Sequence, residues 1–168
     1  MNKYQQYWWE QARSDHQILV VLRRRGDAPC HQLHYLQMVT EKLAKAYFWR
    51  SGTPPRKIHA GFGLFMRLLL KVPQPKQRQL ADLFEFGRFT DLQNWTMAAL
   101  PLIYELERLT PALANDGPNP EYPWPHRAPK HAPATFHFPI WQQLTKTGQG
   151  RQLVQIIKTA TDQFPIYG

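Results

Sequence analysis

Apolar side chains recur every three or four positions along residues 30–71, and this spacing gives the first outline of the fold. Between residues 33 and 47 they form one stripe, while Gln37, Glu41 and Lys45 occupy another face. Glu41 and Lys45 are also spaced to form a favourable ion pair. A second apolar stripe follows a break at 51–55, so the pattern predicts a helical hairpin. The two stripes contain Leu33, Leu36, Val39, Leu43, Ala46 and Tyr47, and then Phe62, Phe65, Met66 and Leu69.

A helix is also predicted before this hairpin, over about residues 3–24. Its inner face is formed by Trp8, Ala12, Leu19 and Leu22. Asp15 and His16 interrupt that face and need partners or water, because unpaired burial is costly. We expect structural partners for both residues. Gly26 suits the left-handed position that ends a helix, and Asp27 is a good N-cap for the next one.

The second half of the chain is predicted to be helical on both sides of a proline-rich stretch. Residues 76–114 show helical spacing, and Gly87 and Pro101 are expected to divide them. A kink or a fresh start is expected at Pro101, since proline removes a backbone donor and clashes with the preceding turn. A last helix over about 151–163 completes the pattern. Its apolar face contains Leu153, Ile156, Ile157, Ala160 and Phe164.

Residues 115–139 are rich in proline, which excludes regular helix there. We predict an extended, irregular strap that aromatic side chains pin to the helices. The proposed anchors are Tyr122, Trp124, Phe136, Phe138 and Trp141.

Short segments of the chain resemble the HEPN family, a group of small helical bundles in prokaryotes. The similar segments are EKLAKAYFW (41–49), KIH (57–59) and the Leu-rich helix that follows. WWEQARSDHQIL (8–19) resembles the first helix of the family, and EYPWP (121–125) is more distantly similar to a Tyr-Pro segment before its last helix. The resemblance covers about residues 4–71.

At 168 residues the chain fits one domain. We predict an all-α, antiparallel up-and-down bundle over residues 1–168, with four main helices, a fifth helix and the strap at 115–139. The resemblance implies homodimerisation. In operon-encoded members it also implies pairing with a small nucleotidyltransferase or another toxin–antitoxin or defence component.

Positive charge is concentrated in the first half of the chain. Of the net charge of +9, residues 1–72 contribute a surplus of eight and residues 73–168 a surplus of one. Such an asymmetry favours an acidic partner, such as RNA, DNA, a nucleotide or an acidic protein, although solubility alone is an alternative explanation. The candidate phosphate-binding residues are Arg23, Arg24, Arg25, Arg50, Arg56, Lys57 and His59.

These candidates also have structural explanations. Cations in the last turn of a helix complement its dipole, which accounts for the arginines at 23–25. The loop at 50–59 is the best candidate site because loops on a rigid scaffold often carry binding groups. His59 could instead brace the next helix, and the equivalent histidine of the family is commonly structural.

Many HEPN ribonucleases use an Arg and a His that lie close together late in the bundle. That place is vacant here, since no histidine closely follows Arg108. Arg127 and His131 lie in the strap, and Arg25 and His31 lie at the start of a helix, so neither pair matches the family motif. We therefore expect a non-catalytic binding or regulatory module, with a metal-independent ribonuclease toxin as the alternative.

A third hypothesis is a protein-interaction scaffold that captures its partner through Tyr122 and Trp124 of the strap. Cys30, His31 and His34 lack an evident fourth zinc ligand, so no metal is expected. The sequence contains no motif for a cofactor. It also contains no apolar run long enough to span a bilayer, and its first residues lack the apolar core of a signal peptide, so we expect a cytoplasmic protein without membrane contact.

Overall fold

The computed structural model describes residues 1–52 and 60–168, and regular structure in these ranges is helical. The helices are α1 (Lys3–Arg25), α2 (Pro29–Phe48), α3 (Phe62–Leu69), α4 (Gln74–Leu83), α5 (Phe89–Glu107), α6 (Pro111–Ala114), α7 (Pro139–Lys146), α8 (Gly148–Asp162) and α9 (Phe164–Tyr167). The all-α bundle is confirmed, and α1, α2, α5 and α8 are its long members. None of the described helices is long and apolar enough to cross a bilayer.

α1 and α2 form an antiparallel hairpin. At one end Asn2 caps α1 and its side-chain amide donates to the carbonyl of Trp49 at 2.8 Å. In the middle the Lys42 ammonium pairs with Asp15, a residue that is 5% exposed. At the other end Gly26 turns the chain with φ of 72°. The expected structural partner of Asp15 and the expected role of Gly26 are both confirmed.

The prediction that Asp27 caps α2 is wrong. Ala28 is the N-cap, without a side-chain hydrogen bond, and Pro29 occupies the first turn. Proline fixes φ at a value suited to that position, so the helix begins there. The Asp27 carboxylate instead pairs with Arg25 at 3.2 Å, and the backbone carbonyl of Asp27 accepts a hydrogen bond from the side-chain amide of Gln32.

The apolar stripes of α2 and α3 are buried and form the centre of the core, as predicted. The polar stripe of α2 is more buried than its composition suggests, since Gln37 and Glu41 are 2% and 8% exposed. The predicted ion pair between Glu41 and Lys45 forms. Gly63 allows α3 to approach α5, because a Cβ there would lie 2.4 Å from Cε1 of Tyr104.

α5 runs through Pro101 without interruption, so the predicted fresh start at this residue is wrong. The neighbouring Leu100 and Leu102 are buried and hold the helix in the core. Pro101 is exposed, and so is Met97, whose carbonyl would have received the missing backbone bond. The lost hydrogen bond therefore falls on the solvent side. The predicted division near Gly87 is confirmed, since α4 ends at Leu83 and α5 begins at Phe89.

The strap between α6 and α7 is irregular, as predicted, apart from a short 3₁₀ turn at Pro133–Thr135. Trp124 and Phe138 are 3% and 2% exposed and pin it to the bundle. Tyr122 is 60% exposed, so its predicted role as an anchor is wrong. The buried side chain of Asn119 accepts from the amides of residues 121 and 122 and turns the chain there.

The end of the chain contains more helix than predicted. α7 begins at Pro139, a favourable first-turn position, and α8 begins at Gly148 rather than near residue 151. Thr147 separates the two helices in an extended conformation and accepts from the amide of Gly150 at 3.0 Å. The predicted apolar face of α8 is buried.

Candidate anion-binding site

The described candidate phosphate-binding residues lie at opposite ends of the α1–α2 hairpin. Arg50 follows Trp49, whose carbonyl bonds to Asn2 at the start of α1, whereas residues 23–25 form the last turn of α1. Since α1 has 23 residues, a rise of 1.5 Å per residue separates the two groups by about 34 Å. The structure therefore does not join them into one surface.

The arginines at the end of α1 have local roles. Arg25 pairs with Asp27 at 3.2 Å. Arg23 is half-buried, and this burial lowers the pKa of its guanidinium. Arg24 is exposed. All three lie where the helix dipole favours positive charge, as the structural explanation of these residues requires.

Three other candidates lie outside the residues that the structure describes. These are Arg56, Lys57 and His59. Their predicted contribution to binding stays a prediction.

Arg50 borders a cleft of about 350 Å³ between the end of α2, the turn from α3 to α4, and α9. Tyr47 and Leu80 form its buried floor. The apolar side chains of its walls are Leu68, Val72, Pro73, Leu83, Ile166 and Tyr167, and the polar side chains of its rim are Arg50, Lys71, Lys76 and Gln79. This combination of an apolar interior and a cationic rim is the site that we call the basic cleft.

The rim of the basic cleft is positively charged without a matching acid. Its described lining contains no Asp or Glu, and the sequence of residues 53–59 contains none either. The guanidinium of Arg50 stacks on the ring of Tyr47 at 4.1 Å from its centre. Burial raises the pKa of the Tyr47 hydroxyl, and the charge of Arg50 opposes that rise. An anion at the rim would meet three exposed cations.

Sequence reasoning missed Lys71 and Lys76, two of these three cations. Lys71 lies in the turn at residues 70–73 that joins α3 to α4, and Lys76 lies in the first turn of α4. The available signal was a pair of lysines on either side of Pro73, of which Lys71 alone belongs to the basic half of the chain. Their proximity to Arg50 depends on tertiary packing, which no local pattern reports.

The candidate ribonuclease pairs are not assembled into a site. Trp124 and His131 exchange two backbone hydrogen bonds, which places Arg127 near the tip of the loop between them and His131 at its base. The His131 ring lies beside Phe136, with ring centres 5.5 Å apart. Arg25 pairs with Asp27 rather than with His31, which is exposed at the start of α2.

The two strap residues proposed for partner capture have different environments. Tyr122 is exposed and can contact a partner. Trp124 cannot, because it is buried among Phe136 and Phe138, with ring centres 4.9 and 5.8 Å away. The use of Trp124 as a partner contact is therefore corrected to a core role.

Two other groups of polar residues are explained by packing. Cys30 is buried whereas His31 is exposed, and His34 lies 3.4 Å from Glu121 of the strap. No group of three potential metal ligands occurs among the described residues. Glu107 is buried and accepts from the amide of Gly63 at 2.9 Å, so it joins α5 to α3.

The chain was compared with known proteins at three levels. No protein-family model, curated protein or solved structure matches it. The HEPN family therefore stays a resemblance, and the basic cleft is the feature of the chain that points to a function.

Proposed function

We propose that this chain is a non-catalytic, HEPN-like binding module that engages nucleic acid through the basic cleft. The supporting observation is the convergence of Arg50, Lys71 and Lys76 on one mouth whose described lining has no carboxylate. These cations come from two separate parts of the chain, the end of α2 and the junction of α3 with α4, so their convergence is a product of the fold. RNA is the ligand with which we test the proposal.

A nucleic-acid backbone suits this rim because phosphates are recognised mainly by Lys and Arg. A carboxylate at the mouth would repel the phosphates, and the described lining contains none. Arg56 and Lys57 follow Arg50 in the sequence, and their contribution stays a prediction. The arginines at 23–25 lie too far away to serve the same phosphates.

The proposal of a non-catalytic role rests on the chemistry of the described lining. A metal-independent ribonuclease needs side chains that accept and donate a proton near the phosphate. The described residues of the basic cleft include no histidine and no carboxylate. The strap pair Arg127 and His131 belongs to another part of the molecule. Ribonuclease activity is therefore the outcome that the experiment is designed to detect and that we do not expect.

The test is to incubate the purified protein with end-labelled total RNA at low salt and to run native and denaturing gels in parallel. We expect a retarded band and intact RNA. Cleavage that is lost in His131→Ala or His31→Ala would overturn the non-catalytic proposal. RNA that is neither retarded nor cleaved would overturn nucleic-acid binding and favour a protein partner such as a nucleotidyltransferase.

We also propose that a second copy of the chain packs on the outer face of α1. Tyr4, Tyr7, Ile18 and Val21 are 38–57% exposed and lie on one face, because residues 4 and 18 and residues 7 and 21 are two heptads apart. Gln11 and Ser14 occupy the same face between them. In an antiparallel pair the tyrosines of each copy would cover the aliphatic residues of the other.

Light scattering coupled to size-exclusion chromatography tests this dimer. We expect a dimer for the native chain and a monomer for the double variant Ile18→Glu/Val21→Glu. The matched control is Met97→Glu, which changes an exposed apolar residue of α5. A native monomer, or dissociation by the control alone, would contradict the proposal.

A further inference from the structure

We propose that the interior of the basic cleft binds an amphipathic organic anion with an aliphatic body, such as a medium-chain acyl carboxylate. Such a ligand would place its apolar chain against the walls and its charged head at the rim. This inference does not require nucleic-acid binding, because it concerns the interior of the cleft rather than its mouth alone.

The walls supply an aliphatic environment for the body of the ligand. Leu68, Val72 and Leu83 are half-buried side chains that border the same space as the buried Leu80. Ile166 adds apolar surface at the edge and is 48% exposed. Ligand sites in proteins typically occupy about 300–1,000 Å³, so a cleft of about 350 Å³ suits a small ligand.

The aromatic rings of the cleft are already engaged, which favours an aliphatic chain over a nucleobase. One face of the buried Tyr47 ring carries the guanidinium of Arg50. The ring of Tyr167 packs on Phe65, Phe84 and Phe164, with ring centres 6.1, 6.1 and 5.4 Å away. The Tyr167 hydroxyl donates to the carbonyl of Ala160 at 2.6 Å. A planar base would therefore find no free ring on which to stack among the described residues of the cleft.

The rim supplies the recognition of the charged head. Arg50, Lys71 and Lys76 are exposed at the mouth, and none has a carboxylate partner among the described residues. Three acids, Asp82, Glu85 and Asp162, line the adjoining cleft beyond Leu83 and not the described mouth of the basic cleft. Asp82 pairs with Arg78 and Asp162 pairs with Lys158, so two of these charges are compensated locally.

A bound anion would have a consequence for the proposed function. It would neutralise the cations that we assign to the nucleic-acid backbone, so the two ligands should compete. The acyl ligand would then act as a regulator of nucleic-acid binding. This consequence needs both proposals, whereas binding of the anion itself needs only the cleft.

Isothermal titration calorimetry with sodium dodecanoate below its micellar concentration tests the inference. We expect one saturable site per chain, with hexanoate at least tenfold weaker, because each buried methylene contributes up to about fourfold in affinity. Acetate, which has the head without the body, and adenosine monophosphate, which has a base in place of the chain, should give no saturable heat.

Two double variants separate the head from the body. Lys71→Gln/Lys76→Gln should weaken dodecanoate binding at least fivefold, and Lys71→Arg/Lys76→Arg should restore it. The matched control Lys130→Gln/Lys146→Gln removes two exposed cations from the strap and α7 and should leave the affinity unchanged. All of these side chains are exposed, and thermal unfolding verifies that each variant folds.

A third variant, Val72→Trp, fills the cleft without changing its charge. It should weaken dodecanoate at least tenfold while the chain retains RNA binding at the rim.

Three results would overturn the inference. The first is the absence of saturable dodecanoate binding. The second is equal binding to the native chain and to Lys71→Gln/Lys76→Gln, which would show adsorption on apolar surface. The third is saturable binding of adenosine monophosphate with none of dodecanoate, which would make the cleft a nucleotide site. Dodecanoate binding without RNA binding would retain this inference and reject the proposed function alone.

Discussion

Two glycines of α8 give the sharpest test of the packing, because the same substitution should have opposite effects two residues apart. A Cβ at Gly150 would lie 2.0 Å from the carbonyl oxygen of Gln143 and 2.6 Å from Cα of Leu144. Both atoms belong to the backbone of α7, which cannot rotate away as a side chain would. A Cβ at Gly148 meets nothing within 4 Å.

The magnitudes follow from this geometry. Ordinary van der Waals contact begins near 3.4 Å, so Gly150→Ala must move α7 and α8 apart by about 1.4 Å at this point. Overpacking in a core costs about 1–3 kcal/mol, and contact with backbone favours the upper end, so we expect a loss of about 3 kcal/mol. Gly148→Ala should be neutral or stabilise by up to about 1 kcal/mol, since alanine restricts the unfolded chain.

Thermal and urea unfolding of the two variants would measure the difference. For a chain of this size, each kcal/mol shifts the melting temperature by about 2–4 °C, so Gly150→Ala should melt about 6–12 °C lower. Gly148→Ala should melt between the native temperature and about 4 °C above it. Equal melting temperatures for the two variants would refute the close contact between α7 and α8.

Three further predictions concern buried polar and aromatic residues. Asp15→Asn leaves Lys42 without its buried partner and should lower the free energy of unfolding, measured in urea, by about 2–4 kcal/mol. Asp162→Asn breaks an exposed pair and should lower it by less than about 1 kcal/mol. Equal losses in the two variants would contradict the burial of the pair between Asp15 and Lys42. Burial raises the pKa of Glu107 in the folded chain. As pH rises from the ordinary carboxyl pKa to this raised pKa, Glu107 is ionised in the unfolded chain but still protonated in the folded chain, so the free energy of unfolding falls. Glu107→Gln should therefore stabilise the chain near pH 7 and match it below the ordinary carboxyl pKa of 4.5, and a pH-independent difference in unfolding free energy would argue against this account. Trp124→Ala should cost about 3–5 kcal/mol, because it opens a cavity in the aromatic cluster; loss of a protein partner at unchanged stability would instead place Trp124 on the surface.

Local spacing was sufficient to locate the buried faces of α2, α3 and α8. Apolar side chains that recur with the period of a helix lie on one face of it, and this face packs against the core. The role of Gly26 at the end of α1 could also be predicted from the sequence, since a left-handed position at the end of a helix favours glycine. These features depend on a few neighbouring residues.

Features that depend on competing local effects were predicted less well. Pro29 could begin α2 itself, so Asp27 was free to pair with Arg25. Pro101 was tolerated because its lost hydrogen bond faces solvent between buried leucines. The last helix was predicted to begin near residue 151, yet α8 begins at Gly148. In each case the choice between two acceptable local structures was made by packing or solvent exposure.

The basic cleft itself could not be predicted from the sequence. Arg50, Lys71 and Ile166 come from distant parts of the chain and meet only after α2, α3 and α9 pack together. Charge counting pointed to the correct half of the molecule for two of the three cations, but it also grouped Arg50 with arginines about 34 Å away. The distribution of charge in space, rather than along the chain, decides the candidate site.

The most direct test of the account is the salt dependence of RNA binding in two charge-matched variants. One replaces Arg50, Lys71 and Lys76 by glutamine, and the other replaces residues 23–25 by glutamine, so each removes the same formal charge. Fluorescence anisotropy with a labelled single-stranded RNA, repeated at several salt concentrations, measures the affinity and its slope against salt. We expect the cleft variant to bind RNA weakly. The slope of log affinity against log salt concentration should become shallower by about 2, since each of three phosphate contacts on a single strand contributes about 0.7. The other variant should retain the native slope. Equal losses in the two variants, or a loss confined to residues 23–25, would contradict the assignment of the basic cleft as the nucleic-acid site.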